Sequence, residues 1–197
     1  MKFTVANILT LTRLFLAPLF LVFLLTSEPW AITTAVILFI VGAFTDYLDG
    51  YIARQMGELT EQGAFLDPLA DKILTTSAFV GFYILDIMPL WMLVVIVVRD
   101  FGTTLLRTLS TESVSPLRTS KSAKVKTFLQ MCFIVYTLAL LWAANASSSE
   151  SIRAFGNEWL NSDATYYGIL LITLFTLWTF IQYLIVNPRL LRRGASH

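Results

Sequence analysis

Six stretches of mostly apolar residues run along the chain: Ile8–Thr26, Trp30–Asp49, Ala64–Leu85, Pro89–Leu109, Val125–Ala144 and Tyr166–Val186. Each has close to the ~20 residues a helix needs to cross a bilayer core. In hydrocarbon a chain must satisfy its own backbone polar groups, and a helix does so within one segment. The pattern predicts an all-α polytopic membrane protein, a bundle of six transmembrane helices in which residues 1–197 form a single domain. Ser27–Pro29 and Asp86–Pro89 read as short turns. Arg54–Gln62, Ser110–Lys124 and Asn145–Ala164 are longer polar connections, the last an ordered loop or a short helix. No internal repeat or low-complexity tract interrupts the series. No small-residue cleavage site clearly follows the first apolar run.

Composition agrees with a lipid solvent. Apolar types make up 56% of the chain and charged types only 14%, with a mean hydropathy of +0.71. A soluble domain has about a quarter of its residues charged, and 197 residues with so few charges cannot cover this much apolar surface. The single cysteine, Cys132, excludes an internal disulfide and reads as a packing residue in an apolar run. The single histidine, His197, excludes a histidine-based triad and a histidine-rich zinc site. A net charge of +1 gives no signal for nucleic acid.

The basic residues set the expected orientation. With the N-terminus inside, the Arg54 connection, the Arg107–Lys126 region and Arg189, Arg192 and Arg193 all face the cytoplasm. Arg153 alone falls outside, among Glu28, Asp86, Glu150, Glu158 and Asp163. A multi-pass protein of a cytoplasmic membrane, with both termini cytoplasmic, is the expectation.

Against that apolar background, Asp46, Asp49, Asp67 and Asp71 stand out. On helices, the i, i+3 pair at the end of the second span shares one face, as does the i, i+4 pair at the start of the third. A short return of the chain between them lets four carboxylates converge near the cytoplasmic membrane boundary. Carboxylates that close cannot all ionise without a cation. A hard divalent ion, Mg²⁺ or Mn²⁺, suits an oxygen-only set, and four carboxylates can hold two such ions. Ion pairing with Arg54 and Lys72 is the plainer alternative, and a transporter's cation site is another. Transporter sites, however, lie near the midplane on broken helices, often in repeated halves.

Asp46-x2-Asp49-Gly50-x2-Ala53-Arg54-x8-Gly63-x3-Asp67-x3-Asp71 resembles the signature of the CDP-alcohol phosphotransferase family, with eight positions matching over 26 residues. The resemblance implies a six-helix membrane enzyme, usually a homodimer, that moves a phosphatidyl group or a phosphobase from a CDP donor to an alcohol. It also implies that Asp46, Asp49, Asp67 and Asp71 hold two Mg²⁺ or Mn²⁺ ions, with Asp71 as the base that deprotonates the acceptor. Thr10, Asp46, Gly50, Ala53, Arg54 and Gly63 would then shape the site for the CDP donor.

For the acceptor, Arg99, Arg107, Lys124 and Lys126 are candidates for an anion pocket that fits a phosphorylated alcohol. Taken singly, the lysines serve equally well as topology signals or headgroup contacts. Arg99 differs because it lies deeper in a span, beside Asp100. "NILTLTRLFLAPLF", "RDFGTTLLR" and "KVKT" resemble the branch of the family whose donor is CDP-diacylglycerol and whose acceptor is sn-glycerol 3-phosphate. The departures are Asp100 and Thr108 where that branch has Glu, and Ala123 where it has Gly. Sister enzymes that use inositol phosphate, serine or phosphatidylglycerol share the aspartate motif. Membrane lipid and a second copy of the chain complete the expected partners.

Overall fold

The computed structural model describes the backbone of residues 5–26, 28–56, 61–110 and 121–186, with side chains over 11–26, 28–45, 72–105, 122 and 124–186. Among these residues the chain is all helical. Seven helices follow in order: α1 Val5–Leu24, α2 Pro29–Met56, α3 Glu61–Ile84, α4 Leu90–Ser110, α5 Lys121–Ala146, α6 Glu150–Leu160 and α7 Asp163–Val186. Two of the described segments are long and apolar enough to cross a membrane, Lys124–Ala146 in α5 and Asp163–Val186 in α7. Leu11–Leu24, Pro29–Thr45 and Lys72–Ile84 are apolar but shorter.

Several boundaries differ from the hydropathy reading, three of them close to candidate site residues. α2 continues past Asp49 to Met56, so Arg54 stands on a helix and not in a loop. α3 starts at Glu61, before Ala64, and α5 starts at Lys121, before Val125. The cause is common to all three: a helix keeps its backbone bonds after it leaves the apolar layer, so polarity marks the layer's edge and not the helix's end. The Asn145–Ala164 connection contains α6, the short-helix alternative.

α1 packs along α2 and α3, α3 on α4, α4 on α7, and α5 on α2, α6 and α7. Phe20, Phe39, Phe79, Phe82, Met92 and Ile134 are fully buried between them. The Phe20 and Phe39 rings lie 5.5 Å apart, joining α1 to α2. α3 ends in a left-handed turn: Asp86 has φ 58°, and Ile87 N–H reaches back to the Phe82 carbonyl at 2.9 Å, a geometry that closes the last helical carbonyls.

One close approach bears on the site. A Cβ on Gly42 of α2 would lie 2.7 Å from Leu74 Cδ2 of α3. Gly42 is one turn before Asp46 and Leu74 three residues after Asp71, so α2 and α3 touch close in sequence to the two acidic turns. α5 and α7 instead meet along a polar seam. Gln130 Nε2 donates to Thr176 Oγ1 at 3.5 Å, and Ser122 Oγ to Gln182 Oε1 at 2.7 Å. Between membrane helices such pairs hold partners together that the hydrophobic effect cannot. Cys132, expected as packing, is exposed on the other side of α5.

Gly156 of α6 lies against α5, where a Cβ would fall 2.5 Å from Ala144 N and 2.9 Å from the Leu140 carbonyl oxygen. Gly156→Ala gains up to about 1 kcal/mol of helix propensity. It also forces a methyl into backbone, an overpacking that costs about 1–3 kcal/mol. Because backbone cannot yield as a side-chain tip can, a lower thermal midpoint in detergent is expected. A midpoint equal to the parent's or higher would show that α6 does not press on α5.

Candidate functional site

Arg99 and Asp100 stand side by side in α4, and both are buried, 7% and 6% exposed. Lys126, in the second turn of α5, is 2% exposed. Its ammonium donates to Asp100 Oδ1 at 2.6 Å, and Arg99 Nη1 donates to the same oxygen at 3.1 Å. From α3, Lys72 Nζ donates to the Asp100 main-chain carbonyl at 2.6 Å and also to the Thr104 hydroxyl. Thr104 Oγ1 in turn donates to that carbonyl at 2.9 Å. Three helices therefore meet on one residue.

Among the described residues, Arg99 and Lys126 bring two positive groups to the one carboxylate of Asp100. Arg99 Nε is buried with no hydrogen-bond partner among the described residues. A buried cation with an unused donor is expensive unless an anion completes it. Arg99 and Lys126 together can grip phosphate oxygens, Arg through its planar fork and Lys as a point charge.

The expected pocket members fall into three groups. Arg99 and Lys126 are brought together. Lys124 is not: it is exposed, and two residues turn a helix by about 200°, so it does not share Lys126's face. Arg107 lies on the helical backbone of α4, but its side chain is outside the described residues. Reading the chain alone missed Asp100 as the hub and left Lys72 undecided. The available signal was Asp100's own position, an acid inside an apolar helix between Arg99 and a Thr103–Thr104 pair.

The acidic motif is placed by backbone alone. Asp46, Asp49, Gly50, Ala53 and Arg54 lie within helix α2, Gly63, Asp67 and Asp71 within α3, and Thr10 within α1. Their side chains are outside the described residues. Lys72 links the two regions, because it follows Asp71 directly and its own ammonium is tied to α4. Elsewhere, among the described residues, no group of three or more His, Cys, Asp or Glu comes together.

The sequence is similar to several known proteins. A protein of Bacillus subtilis named CDP-diacylglycerol–glycerol-3-phosphate 3-phosphatidyltransferase is 35% identical over 66% of this chain and 73% of its own. One of the same name from Cereibacter sphaeroides is 33% identical with 92% of each chain covered. A probable phosphatidylglycerophosphate synthase of Mycobacterium tuberculosis is 41% identical over 64% of this chain and 61% of its own. The sequence model of one family, CDP-alcohol phosphatidyltransferase, matches residues 3–178. That span takes in both the aspartate-bearing turns and the Arg99–Asp100–Lys126 cluster, and the chain belongs to the CDP-alcohol phosphatidyltransferase family.

Proposed function

We propose that this protein transfers the phosphatidyl group of CDP-diacylglycerol to sn-glycerol 3-phosphate, releasing CMP and forming phosphatidylglycerophosphate. The observation that carries the acceptor is the buried pair Arg99 and Lys126 on one carboxylate, with Arg99 Nε unpartnered among the described residues. An alcohol that itself carries a phosphate supplies the missing negative charge, whereas serine brings no phosphate. The names of the relatives support the same acceptor.

The donor set Asp46, Asp49, Asp67 and Asp71, all carboxylate and without thiol or imidazole, fits two Mg²⁺ or Mn²⁺ ions. When bound, those ions supply Lewis acidity at the donor diphosphate. The rest falls to the chain's own groups. Asp71 takes the proton of the acceptor hydroxyl, whose oxygen bonds to the phosphorus carrying diacylglycerol while the bond to CMP breaks. Arg54 pairs with a donor phosphate, and Thr10, Gly50, Ala53 and Gly63 leave room for the nucleotide. Arg99 and Lys126 hold the acceptor's phosphate, with Arg107 further along the same helix. Lys72, through Asp100 and Thr104, keeps the base's turn registered against that pocket. Six helices span the membrane in a homodimer, with the aspartates and both termini at the cytoplasmic face.

The test is CMP release by the purified protein in detergent with CDP-diacylglycerol and Mg²⁺, one acceptor per tube. Release with glycerol 3-phosphate alone upholds the reading. Release only with inositol phosphate, serine or phosphatidylglycerol discards the acceptor and keeps the reaction class. For the pocket, Arg99→Ala is expected to raise the acceptor KM by about 30-fold or more, the loss of a buried charge-assisted contact of roughly 2–5 kcal/mol. The donor KM is expected to change little. Equal changes in both would move Arg99 out of the acceptor pocket.

A further inference from the structure

Among the described residues, α6 joins the two helices of membrane-crossing length, α5 and α7. Gly156 lies against Leu140–Ala144 of α5. At the far end of α6, Thr165 Oγ1 donates to the Trp159 carbonyl at 2.6 Å and lies 3.0 Å from the Tyr136 hydroxyl. Tyr136 precedes the end of α5 at Ala146 by about 15 Å of helix. So α6 does not cap α5 from above. It runs back down its flank to the level where α7 begins, within the depth of the last turns of a membrane-length helix.

Apart from Gly156 and Leu160, the residues of α6 are exposed. They are sorted by face. Ile152, Phe155 and Trp159 stand at i, i+3 and i+7 with exposures of 44%, 52% and 41%, and the Phe155 and Trp159 rings lie 5.8 Å apart. Glu150, Arg153, Asn157 and Glu158 occupy the rest of the circumference. At the start of α7, Tyr166 and Tyr167 are likewise exposed, as are Leu171 and Leu174 further along that helix.

We propose that the Ile152–Phe155–Trp159 stripe is a lipid-binding surface, seated in the headgroup–acyl boundary of the leaflet on the side of the α5–α7 connection. The helix that carries the stripe is joined at its two ends to two helices of membrane-crossing length. The Trp and Tyr content here is that of the membrane–water interface, where these rings place an apolar body in lipid and a polar edge in water. An amphipathic helix in this setting buries its apolar face about 5–10 Å into the boundary. Seated so, α6 holds the outer end of α5 at a fixed depth, while the inner end carries Lys126 to the pocket.

The test uses the full chain in nanodiscs of phosphatidylethanolamine and phosphatidylglycerol. Trp159's emission is isolated as the difference between the parent and Trp159→Phe. It is expected to be strongly quenched by lipid brominated near the headgroup end of its chains, and only weakly by acrylamide in water. The reverse order would overturn the proposal and make α6 a projection into water. Shielding from both quenchers would overturn it in favour of a protein cover. A second measurement does not depend on Trp159: a nitroxide at Phe155→Cys or Asn157→Cys in a Cys132→Ser background. Collisions with oxygen are expected to dominate at position 155, and collisions with a water-soluble nickel chelate at 157. Equal accessibility at both positions would sink the stripe, and spin–spin broadening at 155 would identify a second copy as its cover.

Discussion

Asp71→Asn is expected to abolish CMP release while leaving the thermal midpoint in detergent near the parent's. The substitution keeps the shape of the side chain and removes the proposed proton acceptor, and a positioned general base contributes about 10²–10⁴-fold to rate. Loss of a carboxylate from the proposed metal-ligating set would add to that deficit. The measurement is kcat with glycerol 3-phosphate across a range of Mg²⁺ concentrations, with unfolding followed in parallel. Loss of turnover that high Mg²⁺ restores would leave Asp71 as a ligand and not as the base. Turnover within a few-fold of the parent would remove it from both roles.

Asp100→Ala is expected to be the most destabilising single change in the described part of the chain. It strips the shared carboxylate from Arg99 and Lys126, which lie 3.1 Å and 2.6 Å from it and are otherwise buried. Removing one partner of a buried ion pair leaves an uncompensated charge, which costs about 3–5 kcal/mol. Asp100→Glu keeps the charge and is expected to retain most of the stability. Added inorganic phosphate or glycerol 3-phosphate is expected to raise the midpoint of Asp100→Ala more than that of the parent, because an anion that binds the folded state stabilises it. If neither anion raises it, the two cations do not share a space open to phosphate.

Much of this was readable from the chain. Helix after helix followed from apolar stretches near bilayer length, because backbone groups in lipid must pair within their own segment. The aspartate motif was equally legible, because the i, i+3 and i, i+4 spacings have a direct meaning on helices. The helix ends were not: Arg54 and Lys121 lie on helix beyond the point where hydropathy falls. Nor was the division between Lys124 and Lys126. They are near neighbours of the same charge, and only the ion pair from α5 to Asp100 of α4 holds one inward while the other stays exposed.

The sequence by itself determined that this is a helical protein with apolar, membrane-length stretches and four acids spaced to share helix faces, because solvent and local spacing act on short segments. The tertiary structure decided which basic residues meet, that Asp100 joins them, and that α6 doubles back along α5. Those outcomes depend on how α3, α4 and α5 cross and on whether Gly156 lets two backbones touch. Such contacts join residues far apart in the chain, and no periodicity within one segment encodes them.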